Sequence, residues 1–358
     1  MLVVDDSALV RKLLTIGLSR DPQIQVIGTA YTPAMAYEMI AKERPDVITL
    51  DVEMPEMDGV TLLKKYMAEY PTPTVMVSSL TERGKKITLD ALDAGAVDIV
   101  TKPRMGIADG LPALMDGLCE RVKAAALVNV RRLAQKADSR WQMADGARGD
   151  SPSAISNRQS AVVLHETTDR VIAIGASAGG VSALSRIIPL FPAASPGIVI
   201  VQHMPAGFTT SFAERLHTLS AMRVKEAQEG DRVRPGLVLL APGGERHTQV
   251  RRAGGEYRVK LTHGNKMSGH CPSVDVLFRS IAEAAGRNAA AVLLTGMGDD
   301  GAAGLLKIRR AGGRTFAQDE QTSAVFGMPA AAWEIGAAEE LLPLESIVGR
   351  LLKVATES

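Results

Sequence analysis

The chain is poor in cysteine: Cys119 and Cys271 are its only two, far apart and without C-x-x-C spacing. That argues against a disulfide framework or a cysteine zinc site and fits a reducing compartment. It also lacks an excess of charge of either sign. Its 41 basic and 40 acidic side chains leave a formal net charge of +1, so no overall positive field drives general nucleic-acid binding. No uninterrupted apolar run is long enough to span a bilayer, and the opening MLVVDDSALV puts two acids where a signal peptide would be apolar. A cytoplasmic protein is expected. No internal repeat or low-complexity block is visible.

What is present is room for two ordinary domains: 358 residues, 46% hydrophobic and 23% charged. The stretch 138-DSRWQMADGARGDSPSAISNRQS-160 follows neither helical nor strand period and reads as a linker. Before it, short β-rich runs (LVV at 2–4, IQVIGTA at 24–30, VITLD at 47–51, TVMVSS at 74–79, DIVTK at 98–102) alternate with helical stretches such as 7–19, the rhythm of a doubly wound parallel sheet. A helical run over 111–133 closes this part. After the linker, VIAIG at 171–175, GIVIVQH at 197–203 and AAVLLTG at 290–296 predict a second α/β sheet. Alternating segments at 248–252 and 257–261 around 253-AGGE-256 predict a β-hairpin.

In the first half, Asp5 and Asp6 follow the first strand, Asp51 ends the third and Lys102 ends the fifth. Carboxyl ends of parallel strands share one edge, so three carboxylates and a lysine converge there. Hard oxygen ligands suit Mg²⁺, and an aspartate can take a phosphoryl group as an acyl phosphate. Singly, each acid is as well explained as a helix N-cap. Together, 3-VVDDS-7, 49-TLDVEMPEMDG-59, 77-VSSLT-81 and 101-TKP-103 resemble the receiver domain of a two-component response regulator over residues 1–106. That resemblance implies a flavodoxin-like strand order 2-1-3-4-5 and phosphorylation of Asp51. It implies Mg²⁺ held by Asp6, Asp51 and the Glu53 carbonyl, with Asp5 assisting through water, and phosphate sensing by Ser78 and Lys102. Ile99 stands where receivers usually carry an aromatic switch residue.

In the second half, 171-VIAIGASAGG-180 breaks from a strand into glycines around Ser177. Two readings compete: a nucleophile elbow and a phosphate-binding glycine loop. The loop lacks a G-x-G-x-x-G register, and no tyrosine has the Tyr-x-x-x-Lys spacing of a short-chain dehydrogenase. For the nucleophile reading, His203 alone of the six histidines ends a clearly apolar strand, and Asp299 and Asp300 follow another. One sheet edge would gather Ser177, His203 and one of these acids, although each alone is better read as a cap or core residue. The order serine, histidine, acid excludes an α/β-hydrolase. His270 beside Cys271 raises a cysteine nucleophile, but adjacent side chains rarely point at each other, and Cys271 reads as packing.

The motifs 174-IGASAGG-180, 201-VQHMPAGFTTSFAERL-216, 273-SVDVLF-278, 294-LTGMGDDGAAG-304 and 325-VFGMP-329 together resemble the chemotaxis protein-glutamate methylesterase/protein-glutamine glutaminase (CheB) family. In that family a receiver is joined to a mostly parallel α/β serine-esterase domain. The resemblance implies a receiver at 1–106, helix and flexible linker at 107–164, and a catalytic domain at 165–358. It implies Ser177 as nucleophile, His203 as general base and then acid, Asp300 as orienting carboxylate, and main-chain N–H groups at Ala178 and Met297 around the oxyanion. The implied substrate is a glutamyl methyl ester on a chemoreceptor, with glutamine deamidation as a second activity. A chemotaxis histidine kinase is the implied phosphodonor, Mg²⁺ serves the receiver only, and the esterase needs no cofactor. Contact with the membrane is expected only through receptors, and none with nucleic acid. The alternative is a response regulator with a DNA-binding or nucleotide-binding output, for which residues after 160 show no basic recognition element.

Overall fold

The computed structural model describes residues 1–78, 81–102, 107–128, 130 and 169–356. The expected linker at 138–160 and the last residues of the 111–133 helical run lie outside the described residues.

The first unit alternates strand and helix: β1 (Leu2–Val4), α1 (Ala8–Leu18), β2 (Gly28–Ala30), α2 (Pro33–Glu43), β3 (Ile48–Asp51), α3 (Gly59–Glu69), β4 (Thr74–Ser78), α4 (Glu82–Asp93), β5 (Asp98–Thr101) and α5 (Ile107–Ala126). Helices start where a short polar side chain can accept an orphan N–H: Ser7 from Val10, Thr32 from Met35, Asp58 from Thr61, Thr81 from Gly84. The sheet order is β2-β1-β3-β4-β5 with every pair parallel. β2 is shorter than the predicted 24–30. Its one partner among the described residues, β1, has three residues, and the register runs from Leu2↔Gly28 to Val4↔Ala30.

The second unit contains β6 (Val171–Ala176), α6 (Gly180–Ile187), β7 (Gly197–Gln202), α7 (Phe208–Leu219), β8 (Arg223–Glu226), β9 (Arg232–Val233), β10 (Leu237–Leu240), β11 (Arg246–Ala253), β12 (Glu256–His263), α8 (Val274–Ala285), β13 (Ala289–Leu293), α9 (Ala302–Arg310), β14 (Arg314–Gln318), α10 (Met328–Glu334), β15 (Glu340–Leu342) and α11 (Leu344–Thr356). Seven of its strands form a parallel sheet in the order β15-β14-β13-β6-β7-β10-β8. Its central strands are apolar on both faces, and their period of two sorts them between two cores. Ile172, Ile174, Ile198 and Ile200 pack with Leu184, Phe212 and Leu351 of α6, α7 and α11, in a cluster continuous with the core of the first unit. Val171, Ala173, Val199 and Val201 pack with Phe278, Leu305 and Met328 of α8, α9 and α10.

The predicted hairpin is β11 and β12, turning on Gly254 and Gly255 at φ +59° and +85°. Its buried face, Val250, Tyr257 and Val259, covers the second core. Positive φ at both central residues matches the twist of a two-residue hairpin turn and suits glycine.

Helices α8 and α9 approach so closely that a Cβ at Gly304 would lie 2.7 Å from Phe278 Cβ and 3.0 Å from the Asp275 carbonyl oxygen. Gly304→Val should therefore destabilise the second unit by about 1–3 kcal/mol, as overpacking does, measured as a lower urea midpoint with the first unit's transition unmoved.

Candidate functional site

Two sites lie at carboxyl ends of parallel strands. In the first unit Lys102, just past β5, places Nζ 2.8 Å from Asp5 Oδ2 and 2.7 Å from Asp51 Oδ2. Asp5 and Asp51 are buried, whereas Asp6 is exposed. Burial raises the Asp51 carboxyl to about 6 against the pull of Lys102, and the Asp5 charge adds to the rise. Oxygens of Asp5, Asp6 and Asp51 lie within 4.8 Å of one another. Three hard oxygen donors against one ammonium leave negative charge to be neutralised, a set that fits Mg²⁺. Glu53 meets Asp51 through its backbone N–H, 3.3 Å from Asp51 Oδ1, and its side chain accepts from the Thr81 hydroxyl at the start of α4. Ser78, fully buried at the end of β4, accepts a 2.8 Å hydrogen bond from Thr88 of α4.

In the second unit the adjacent strands β13, β6 and β7 each lead into one member of the predicted trio. The chain starts at β6, builds outward through β7, and later crosses to β13 on the other side, so β6 sits at the topological switch point where open α/β sheets bind ligands. Ser177 follows β6 in a tight turn. Its N–H donates to Thr295 O at 3.0 Å, and its carbonyl accepts from Gly180 N–H at 2.8 Å. Gln202, the last residue of β7, ties the Ser177 turn to the end of β7: its Nε2 donates to the carbonyls of Ser177 at 2.9 Å and His203 at 3.2 Å. A Cβ at Gly180 would lie 2.1 Å from Gln202 Oε1 and 2.7 Å from Ala176 Cβ, so a side chain there would displace Gln202 from this tie.

His203 is 5% exposed, and its Nε2 donates to Asp300 Oδ2 at 2.8 Å. Its Nδ1 is buried without a hydrogen-bond partner among the described residues, so this is the nitrogen left to accept a proton. Ser177 and His203 line one cleft. Asp300 is 1% exposed and sits at the N-terminus of α8. It accepts from Ser273 Oγ at 2.7 Å, Val274 N–H at 2.7 Å and Asp275 N–H at 3.1 Å. Burial opposes the charge, but the bonds from His203, Ser273 and Val274 outweigh it and hold the carboxyl below its ordinary range. Asp299, the other candidate acid, is exposed. The N–H groups of Ala178 and Met297 meet no acceptor among the described residues.

Sequence reasoning missed two groups. Ser273, Val274 and Asp275 supply the donors on Asp300, and an N-capping serine ahead of the apolar VDVLF was the available signal. His270 stacks on His203 with ring centroids 3.8 Å apart and planes at 6°. Parallel rings direct their in-plane lone pairs side by side, so the close set His203, His270 and Asp300 does not converge on one ion. Cys271 is half-buried with its thiol pKa raised by burial, which leaves it a poor nucleophile.

The two units meet at the cleft. Val97 O of the first accepts from Gly179 N–H of the second at 3.3 Å, and Asp90 of α4 pairs with Arg215 of α7 at 2.9 Å. Leu92, Val97 and Ile99 line the cleft together with Ser177 and His203. Ile99, at the aromatic switch position of receivers, is therefore buried against the second unit's site rather than turned to solvent.

Comparison with known proteins agrees in both units. Residues 1–108 match the family model for the response regulator receiver domain, and residues 172–351 match that for CheB methylesterase. The chain is 53% identical over 357 residues to a protein-glutamate methylesterase/protein-glutamine glutaminase of Syntrophotalea carbinolica, covering 100% of this chain and 98% of that protein. It is 53% identical to the group 2 operon enzyme of the same name from Cereibacter sphaeroides, over 99% of this chain and 91% of that one. The crystal structure of the Thermotoga maritima CheB methylesterase catalytic domain superimposes with a TM-score of 0.51 at 40% identity, covering 52% of this chain and 98% of that one.

A carboxyl whose pKa is raised on folding costs stability as pH climbs from its ordinary value of 3.8 through its folded value of about 6. Asp51→Asn should therefore stabilise the first unit by roughly 1–2 kcal/mol at about pH 7.5 and by little at about pH 4. Urea denaturation at the two pH values checks this, and Mg²⁺ should stabilise only the parent.

Proposed function

Since the chain belongs to the CheB methylesterase family and carries a response regulator receiver domain, we propose that it is a phosphorylation-controlled protein-glutamate methylesterase acting on chemoreceptor glutamyl methyl esters, with glutamine deamidation at the same site. We divide it into a receiver at 1–106, helix and linker at 107–164, and a catalytic domain at 165–358. It works in the cytoplasm, in keeping with the lack of any membrane-crossing helix among the described residues.

The observation that carries the catalytic reading is the buried pair of His203 Nε2 and Asp300 beside the Ser177 turn. His203 Nδ1 takes the Ser177 proton as Oγ attacks the ester carbonyl. The N–H groups of Ala178 and Met297 hold the oxyanion, each such donor being worth about 3 kcal/mol in the transition state. The imidazolium, stabilised by Asp300, returns the proton to the departing methoxide, and methanol leaves. Water, deprotonated by the same Nδ1, then hydrolyses the acyl-enzyme to glutamate and free Ser177. With a glutamine substrate the leaving group is ammonia.

Control runs through the receiver. Asp51 accepts a phosphoryl group from a histidine kinase, with Asp5, Asp6, Asp51 and the Glu53 backbone around Mg²⁺ and with Lys102 and Ser78 on the phosphoryl oxygens. Mg²⁺, when bound, neutralises charge on those oxygens. Two observations support occlusion of the esterase by the unphosphorylated receiver: Leu92, Val97 and Ile99 line the catalytic cleft, and Thr88 on the covering helix α4 is bonded to Ser78. Moving Ser78 toward a phosphoryl group changes its bond to α4, and an interface of this transient type shifts with a few kcal/mol of differential stability.

Ser177→Ala should end methanol release from methyl-labelled receptor membranes while the protein stays folded; turnover near the parent rate would refute the mechanism. Asp90→Lys, which sets a cation against Arg215, should raise the unphosphorylated rate several-fold and shrink the gain on phosphorylation. An unchanged basal rate would argue against occlusion through this face.

A further inference from the structure

We propose that His270 is a positioning residue for catalysis, a flat neutral ring that fixes the plane of the His203 imidazole by stacking on it. The inference rests on the triad reading above and extends it to a residue outside the triad. A single hydrogen bond from Nε2 to Asp300 leaves an imidazole free to pivot about that bond. Such a pivot swings Nδ1 away from Ser177, and proton transfer tolerates little misplacement. The His270 ring lies 3.8 Å from His203 at 6°, a face-to-face contact that blocks the pivot.

The local chain is built to hold that ring. Met267 and His270 exchange backbone hydrogen bonds at 3.0 and 2.9 Å, closing a two-residue turn in which Ser268 and Gly269 have φ of +48° and +79°. Ser268 is not a glycine, so its left-handed conformation carries a strain that the turn maintains. Its carbonyl is 2.7 Å from His270 Nδ1. A carbonyl only accepts, so Nδ1 of His270 holds the proton and Nε2 is bare. A few residues on, Ser273 and the N-terminus of α8 bind Asp300. One short segment thus supplies both the ring above His203 and the donors that hold its carboxylate.

The ring's charge state fits the task. Burial and the neighbouring His203 lower His270 to about 4, against opposing pulls from Asp300 and the Ser268 carbonyl, and Arg121 of the receiver side lowers it further. At neutral pH His270 is uncharged and offers a π face to the imidazolium that forms on His203, whereas a charged ring would repel it.

The test compares full-length His270→Ala, His270→Leu and His270→Phe with the parent for kcat and KM on methyl-labelled receptor membranes, with thermal melts alongside. Phenylalanine keeps a flat ring but no nitrogen; leucine fills space without a plane. The expected result is a loss of about 10- to 100-fold in kcat for the alanine and leucine variants at nearly unchanged KM and unchanged melting, with most of kcat restored by phenylalanine. Alanine or leucine within about twofold of the parent would overturn the proposal. So would a phenylalanine variant as slow as alanine, which would make a ring nitrogen of His270 the working group. Residual turnover in a Ser177→Ala control would instead mark failure of the triad reading.

Discussion

A carboxylate at 1% exposure survives in a protein interior only if its charge is met on nearly every side, and the catalytic half of this molecule is arranged around meeting that of Asp300. The serine hydroxyl of Ser273, two N–H groups at the start of α8 and the imidazole of His203 all donate to it. The helix dipole adds to the direct bonds. The debt is returned by the facing helix: Asp275, in the first turn of α8, accepts from Gly301 at 3.1 Å and Gly304 at 2.6 Å at the start of α9. Two helices therefore cap each other with crossed carboxylates, which is why their close packing and the catalytic geometry cannot be separated.

The sheet does the remaining work. Placing β6 between β13 and β7 brings serine, histidine and acid to one edge although they are remote in sequence. The same edge must admit a bulky protein substrate, and it is the edge against which the receiver packs. With Leu92 of α4 and Val97 and Ile99 around β5 lining the cleft beside Ser177, the proposed charge event at Asp51 would bear on access to Ser177 with no contact between the two residues. Ile99 in place of an aromatic suits this arrangement, since its side chain is a buried part of the interface rather than a ring free to swing between solvent and core.

Much of this was legible in the sequence because parallel sheets obey a simple rule: whatever follows an apolar strand lands on the carboxyl edge. That rule places Asp5, Asp51, Lys102, Ser177 and His203 at the carboxyl ends of their strands, where they stand in the structure. The hairpin was readable from its paired glycines. What could not be read lies in contacts between segments that no periodicity links. Nothing local to Ser273 says that its hydroxyl donates to Asp300, far along the chain. The sequence sets His270 beside Cys271, whereas in the fold its ring stacks on that of His203. Spacing alone leaves Asp299 and Asp300 open, and the structure buries Asp300 while exposing Asp299. The overlong expectation for β2 failed because a strand extends only as far as its partner, and β1 is short.

In the proposed mechanism Asp300 holds the proton of His203 on Nε2 and leaves Nδ1 bare for Ser177, the reverse of the nitrogen assignment in the chymotrypsin-type triad. Nitrogen-15 NMR of the resting enzyme labelled at histidine reads this directly. The expected spectrum has a protonated Nε2 and an unprotonated Nδ1 for His203, with that Nε2 proton signal lost in Asp300→Ala. A proton found on Nδ1, with Nε2 bare, would contradict it.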